Sequence, residues 1–120
     1  MKNGLIKVAA AIPAVKVADT KFNLIETEKQ IAVADGQGVE IIVFPELSLT
    51  GYSCQDLFQQ QLLLDDAEQS VLRLLEFTRQ LDITVIVGAP VTVGPLLLNC
   101  AIVIQQGKLL GIVAKTFLPN

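Results

Sequence analysis

Glu46 follows the apolar run Ile41-Ile42-Val43-Phe44 and a proline. A carboxylate so placed stands at the carboxyl end of a buried strand, where open α/β sheets assemble their sites. Burial beside apolar groups raises a carboxyl pKa, and a neighbouring ammonium lowers it. A carboxylate held between those pressures is suited to general acid–base work. By position alone, a general base and a solvated loop glutamate describe Glu46 equally well. Lys115 ends a second apolar run, Leu109 to Ala114, and leads into Thr116-Phe117-Leu118-Pro119. It reads either as a strand-end lysine snorkelling to water or as a fixed cation that pairs with Glu46 and stabilises an oxyanion. Position favours the first.

A thiol needs a lowered pKa and an adjacent base before it can attack. Cys100, set in Leu96-Leu97-Leu98-Asn99 and Ala101-Ile102-Val103, reads as a small core residue instead. Cys54 lies on the loop after Glu46, near the site, and reads as loop filler ahead of a catalytic thiol. The two cysteines form no CxxC pair and the chain has no histidine, so no zinc site is expected. Thr50, Tyr52, Gln55 and Asp56 share the Glu46 loop and can either line a pocket or make turn hydrogen bonds. Asp65, Asp66 and Glu68 suit the acidic start of a helix, which the helix dipole favours, and read as structural.

Positioning these groups requires a scaffold whose order is legible. Leu5 to Ile12 is strand-like and ends at Pro13. Asp19 or Thr20 can cap a helix running to about Asp35, with Leu24, Ile31 and Ala34 facing the core, helped by Ile25 and Ala32. Gly36 and Gly38 stop it. Ile41 to Phe44, short and β-branched, has the pattern of a strand buried on both faces. A longer helix is expected over 62–81, with the stripe Leu64, Ala67, Val71, Leu74, Leu75 and Thr78. Ile83 to Val87 is another buried strand, ending at Gly88, and Gly94-Pro95 is a loop. Asn99 to Gln105 and Leu109 to Ala114 form a hairpin around Gln106-Gly107. Strands separated by helices imply parallel neighbours with right-handed crossovers. The closing hairpin makes the sheet mixed, and the first βα turn, Ile12-Pro13-Ala14-Val15, lacks a dinucleotide-binding glycine fingerprint.

The 120 residues suffice for one modest domain. They are 52% hydrophobic, with a net charge of −3 and a mean hydropathy of +0.55. That apolar content suits a sheet covered on both faces, or a piece whose apolar surface is covered by the rest of a larger protein. No basic patch points to nucleic acid, and no apolar run reaches the ~18 residues of a membrane helix. A cytoplasmic location and a reduced compartment are the expectations.

Phe44-Pro45-Glu46-Leu47-Ser48-Leu49-Thr50-Gly51-Tyr52 resembles the first signature of the nitrilase, or carbon–nitrogen hydrolase, superfamily, and Lys115-Thr116-Phe117-Leu118-Pro119-Asn120 resembles its second. Val87-Gly88-Ala89-Pro90, Asn99-Cys100-Ala101 and Gly107-Lys108 follow in the same order. Gly51-Tyr52-Ser53-Cys54-Gln55-Asp56-Leu57-Phe58 is similar to the continuation found in glutamine-hydrolysing domains of glutamine-dependent NAD synthetases. The resemblance implies an α/β fold, part of a four-layer α-β-β-α sandwich with a mixed sheet. Residues 1–120 would be the N-terminal portion of the amidase domain. It also implies a Glu-Lys-Cys triad, with Glu46 as general base and Lys115 as oxyanion-stabilising cation. Tyr52 is a candidate for the substrate pocket. Neither Cys54 nor Cys100 matches the family's nucleophile motif, so the catalytic cysteine is expected beyond Asn120. Alone, the chain is expected to lack glutaminase activity and to associate through an uncovered apolar sheet face.

By the same resemblance, glutamine is the substrate and no cofactor belongs to this segment. A C-terminal synthetase domain would use ATP and magnesium, and a homo-oligomer is expected, with no nucleic-acid or membrane partner. Three other readings stay open. One is another nitrilase-type amidase, such as an omega-amidase, carbamoylase or nitrilase. A second is a flavodoxin-like binding module, weakened by the absence of acids at the end of the first strand. A third is a purely structural or assembly role.

Overall fold

A computed structural model of the protein describes residues 4–51 and 57–117. The chain runs β1 (Val8–Ala10), α1 (Thr20–Gly36), β2 (Ile41–Val43), α2 (Leu57–Phe77), β3 (Thr84–Val93), β4 (Leu96–Gln105) and β5 (Lys108–Phe117). Tyr52, Cys54, Gln55 and Asp56, which the sequence placed near the site, lie outside the described residues. Among the described residues no helix is long and apolar enough to cross a membrane.

The five strands form one mixed sheet in sequential order, β1-β2-β3-β4-β5. β1, β2 and β3 are parallel, in the registers Ala9↔Ile42 and Ile42↔Val85. β3, β4 and β5 form an antiparallel meander. Because both crossovers step the same way across the sheet, right-handed connections put both helices on one face, and α1 and α2 touch each other there. A flavodoxin-like sheet carries helices on both faces around a reversal of strand order; the described residues show neither feature.

Helix α1 begins where Asp19 accepts a hydrogen bond from the Phe22 amide at 3.0 Å. Such a cap typically contributes about 1 kcal/mol. Leu24, Ile31 and Ala34 are buried as expected. Ile25 and Ala32, expected to help, are exposed, and the rest of the inward face is polar: Thr20, Asn23 and Thr27. Asn23 and Thr27 are tolerated there because both are bonded, as where Thr27 donates to the Asn23 carbonyl at 2.7 Å. Helix α2 starts five residues before the expected position and ends four before it. Thr78 lies just past its last turn, where its hydroxyl donates to the Leu74 carbonyl and accepts from the Gly107 amide. That tie joins the helix end to the β4–β5 turn, where Gln106 and Gly107 both take positive φ (49° and 77°), as a two-residue hairpin loop requires.

The core lies between the sheet and the helices, with Ile31, Ile42, Leu74, Val85, Val87 and Ile104 at its centre. Each such side chain gains roughly 1.5–3 kcal/mol from leaving water. The opposite face of the same sheet is open. Val8, Val43 and Val113 alternate with the buried positions and remain exposed. The run Ile41 to Phe44, expected to be buried on both faces, is therefore covered on one only: Ile42 and Phe44 are buried, while Val43 keeps 40% of its surface. The run from Ile83 likewise does not end at Gly88. It continues to Val93 and turns through Gly94-Pro95 into β4.

Candidate active site

β2 ends at Val43, and the Phe44 amide still bonds the Ile86 carbonyl at 2.9 Å, so the chain leaves β2 alongside β3. It then passes directly over β3 at Gly88. A Cβ built on Gly88 would collide with the Leu47 nitrogen and stand 2.6 Å from the Pro45 carbonyl oxygen. Only glycine lets the backbone of 45–47 lie this close, and that crossing carries Glu46 from β2 to the ends of β4 and β5. The loop is tied down on both sides. The Leu49 amide donates to the Gly88 carbonyl at 3.1 Å, and the Gly88 amide donates to the Ser48 hydroxyl at 3.3 Å. The amides of Thr50 and Gly51 both return to the Leu47 carbonyl, with Leu47 itself at φ +52°.

A second anchor reaches the loop from α1. The buried Asn23 side chain donates to the carbonyls of Leu49 and Lys16 and accepts from the Lys16 amide. The Ala18 amide donates to the Thr50 carbonyl at 2.7 Å. One amide thus joins helix, loop 13–18 and the Glu46 loop, which explains why the inward face of α1 is polar.

On this frame Glu46 Oε1 meets Lys115 Nζ at 3.0 Å. Asn99, buried in β4, donates from Nδ2 to the same oxygen at 2.7 Å. Lys115 is delivered by an irregularity in β5. Asn99 pairs with Thr116 and Cys100 with Ala114, so Lys115 is the extra residue of a bulge, a device that re-aims a side chain. Glu46 and Lys115 remain partly open to solvent, at 39% and 63% of their side-chain surface. They line a cavity of about 200 Å³ on the open face, together with Val43, Ile86 and Asn99. The Lys115 hydrogen bond, followed by that of Asn99, holds the Glu46 carboxyl below its usual value and outweighs the upward pull of burial. The two opposing pressures expected from the sequence are both present, and the lowering one prevails.

The two residues singled out by chemistry are therefore brought together. Cys100 is buried, and burial pushes its thiol pKa up, the reverse of what a nucleophile needs. Asn99 was not singled out as a site residue. The signal available was an amide inside the otherwise apolar run Leu96 to Ile104, a place where a polar side chain must have a partner. Among the described residues no three His, Cys, Asp or Glu side chains cluster to hold a metal ion.

Residues 7–119 match the family described as carbon-nitrogen hydrolase. The chain is 34% identical over 119 residues to the glutamine-dependent NAD(+) synthetase of Mycobacterium tuberculosis, covering 99% of this chain and 18% of that protein. A crystal structure of a glutamine-dependent NAD(+) synthetase from Cytophaga hutchinsonii superposes with a TM-score of 0.85 at 30% identity, covering 96% of this chain and 20% of that one. An amidase from Nesterenkonia sp. superposes with a TM-score of 0.80 at 22% identity, covering 100% of this chain and 46% of that one. The last likeness is one of fold alone. The chain thus spans less than a fifth of the length of the curated relatives first in similarity.

Proposed function

This chain belongs to the carbon–nitrogen hydrolase family, and we propose that it supplies two catalytic groups to a glutaminase domain feeding ammonia to NAD synthesis. The observation that carries the chemistry is the contact of Glu46 Oε1 with Lys115 Nζ at 3.0 Å over an apolar, open sheet face. The choice of glutamine is supported by likeness to glutamine-dependent NAD(+) synthetases along nearly the whole chain.

Glutamine's side-chain amide is a poor electrophile and needs an activated attacker. In this reading Glu46 takes the proton of a cysteine thiol contributed from outside residues 1–120, and the thiolate adds to the amide carbon. Lys115 offsets the charge that develops on the carbonyl oxygen. Glu46 returns its proton to the departing nitrogen, and ammonia leaves. Water, deprotonated by the same carboxylate, then cleaves the thioester to give glutamate. The ammonia would pass to a synthetase domain that uses ATP and magnesium. Both would act in that domain, and no step through either is assigned to this chain. A cytoplasmic homo-oligomer completes the proposal.

The test is ammonia release from glutamine by the full-length protein. Glu46→Gln is expected to lower kcat by about 10²–10⁴-fold, and Lys115→Met by about 10²–10³-fold, with folding preserved in both. Residues 1–120 alone are expected to release none. Turnover by that isolated chain would place the nucleophile within it and refute the scheme. A full-length protein that hydrolyses other amides but ignores glutamine would favour the general amidase reading instead.

A further inference from the structure

Two donors converge on one oxygen of Glu46. Lys115 Nζ reaches Oε1 at 3.0 Å, and Asn99 Nδ2 reaches the same atom at 2.7 Å. Among the described residues Oε2 takes no hydrogen bond. Asn99 differs from Lys115 in kind. It lies on β4, retains 3% of its surface and carries no charge, so it cannot swing to solvent. The two donors reach Oε1 differently: Lys115 is the extra residue of the β5 bulge, whereas Asn99 sits in regular β4 pairing opposite Pro90.

We infer that Asn99 is a positioning residue, which pins Glu46 through Oε1 and leaves Oε2 as the oxygen that takes and returns the proton. This rests on the reading of Glu46 as the general base. A lysine asked to stabilise an oxyanion must share its protons between that oxygen and Glu46. A buried amide on the same Oε1 keeps the carboxylate plane fixed while the lysine does so. The thiol S–H bond then breaks as Oε2–H forms, and the same proton leaves Oε2 for the departing nitrogen. The surroundings support the assignment. The other titratable groups lining the cavity are Lys115 from β5 and Cys100 from β4, and β3 contributes none. Both hydrogen bonds favour the ionised carboxylate, so loss of the amide leaves a base that ionises only at higher pH.

The experiment compares full-length wild type, Glu46→Gln, Asn99→Leu and Asn99→Asp, measuring ammonia release from glutamine across pH. Asn99→Leu keeps the branching of the side chain, though it is bulkier, and removes the donor; Asn99→Asp keeps the shape and sets a carboxylate beside Oε1. The expected result is a fall in kcat of roughly tenfold or more with KM little changed. The acid limb of kcat/KM should move to higher pH in both variants, further in Asn99→Asp. A purely structural asparagine would change the thermal midpoint without moving that limb. If Asn99→Leu fails to fold, the smaller Asn99→Ser, whose hydroxyl is too short to reach Oε1, should give the same shift. An unmoved limb in a folded variant, with Glu46→Gln inactive, overturns this inference alone. A wild type that releases no ammonia, or an active Glu46→Gln, overturns the function reading and this inference with it.

Discussion

One sheet presents two faces that the same strands build from the same kinds of residue. On one, Ile42, Val85, Val87 and Ile104 pack beneath α1 and α2 and are almost wholly buried. On the other, Val8, Val43 and Val113 stand open, and Glu46, Asn99 and Lys115 gather at its edge. The first face supplies the folding energy. The second holds the candidate site on apolar ground that stays open among the described residues. The difference teaches what the proposed function still requires: its reacting groups are fixed from below, and water exclusion would have to come from above.

Mutation can break that contrast. Leu74→Ala, on the covered side, should cost about 2–5 kcal/mol by removing a fully buried side chain. Val43→Thr, on the open side, should stay within about 0.5 kcal/mol and should weaken self-association of residues 1–120. Denaturant unfolding and light scattering measure the two halves. Equal costs would mean that the open face is covered after all. Gly88→Ala comes next. Its methyl group would strike the backbone of 45–47, so overpacking should cost about 1–3 kcal/mol and loosen Glu46, with the helix-side core unaffected. Amide exchange would show protection lost at Leu49 and retained at Ile102.

The smallest effect is electrostatic. The Glu46 carboxyl is lowered from its usual value of 4.5 when the chain folds. Its contribution is therefore present above about pH 4.5 and is lost as pH falls through the lowered folded value. Compared with Glu46→Gln, wild type should hold a small stability advantage at pH 7 that disappears in acid. A constant difference across that range would deny the contact with Lys115.

The sequence made Glu46 and Lys115 legible because each ends an apolar run, where strand ends expose side chains. The order of elements, the mixed sheet and the Gln106-Gly107 turn were legible for related reasons of period and turn chemistry. The open face was not. Ile41 to Phe44 reads as doubly buried, since nothing local tells a face covered by helices from one awaiting another layer. Asn23 and Thr27 were passed over because polar side chains do not register in an apolar count, and Ile25 and Ala32 filled their place. Asn99 was hidden by distance: its partner lies 53 positions earlier.

That separation also governs when the site can exist. Glu46 is synthesised long before the asparagine and lysine that hold it; β3 must precede the asparagine, and β4 the lysine. On the ribosome the carboxylate therefore cannot meet both donors until the meander has been made. The Glu46–Lys115 contact would serve as a late clock for maturation of the nascent chain.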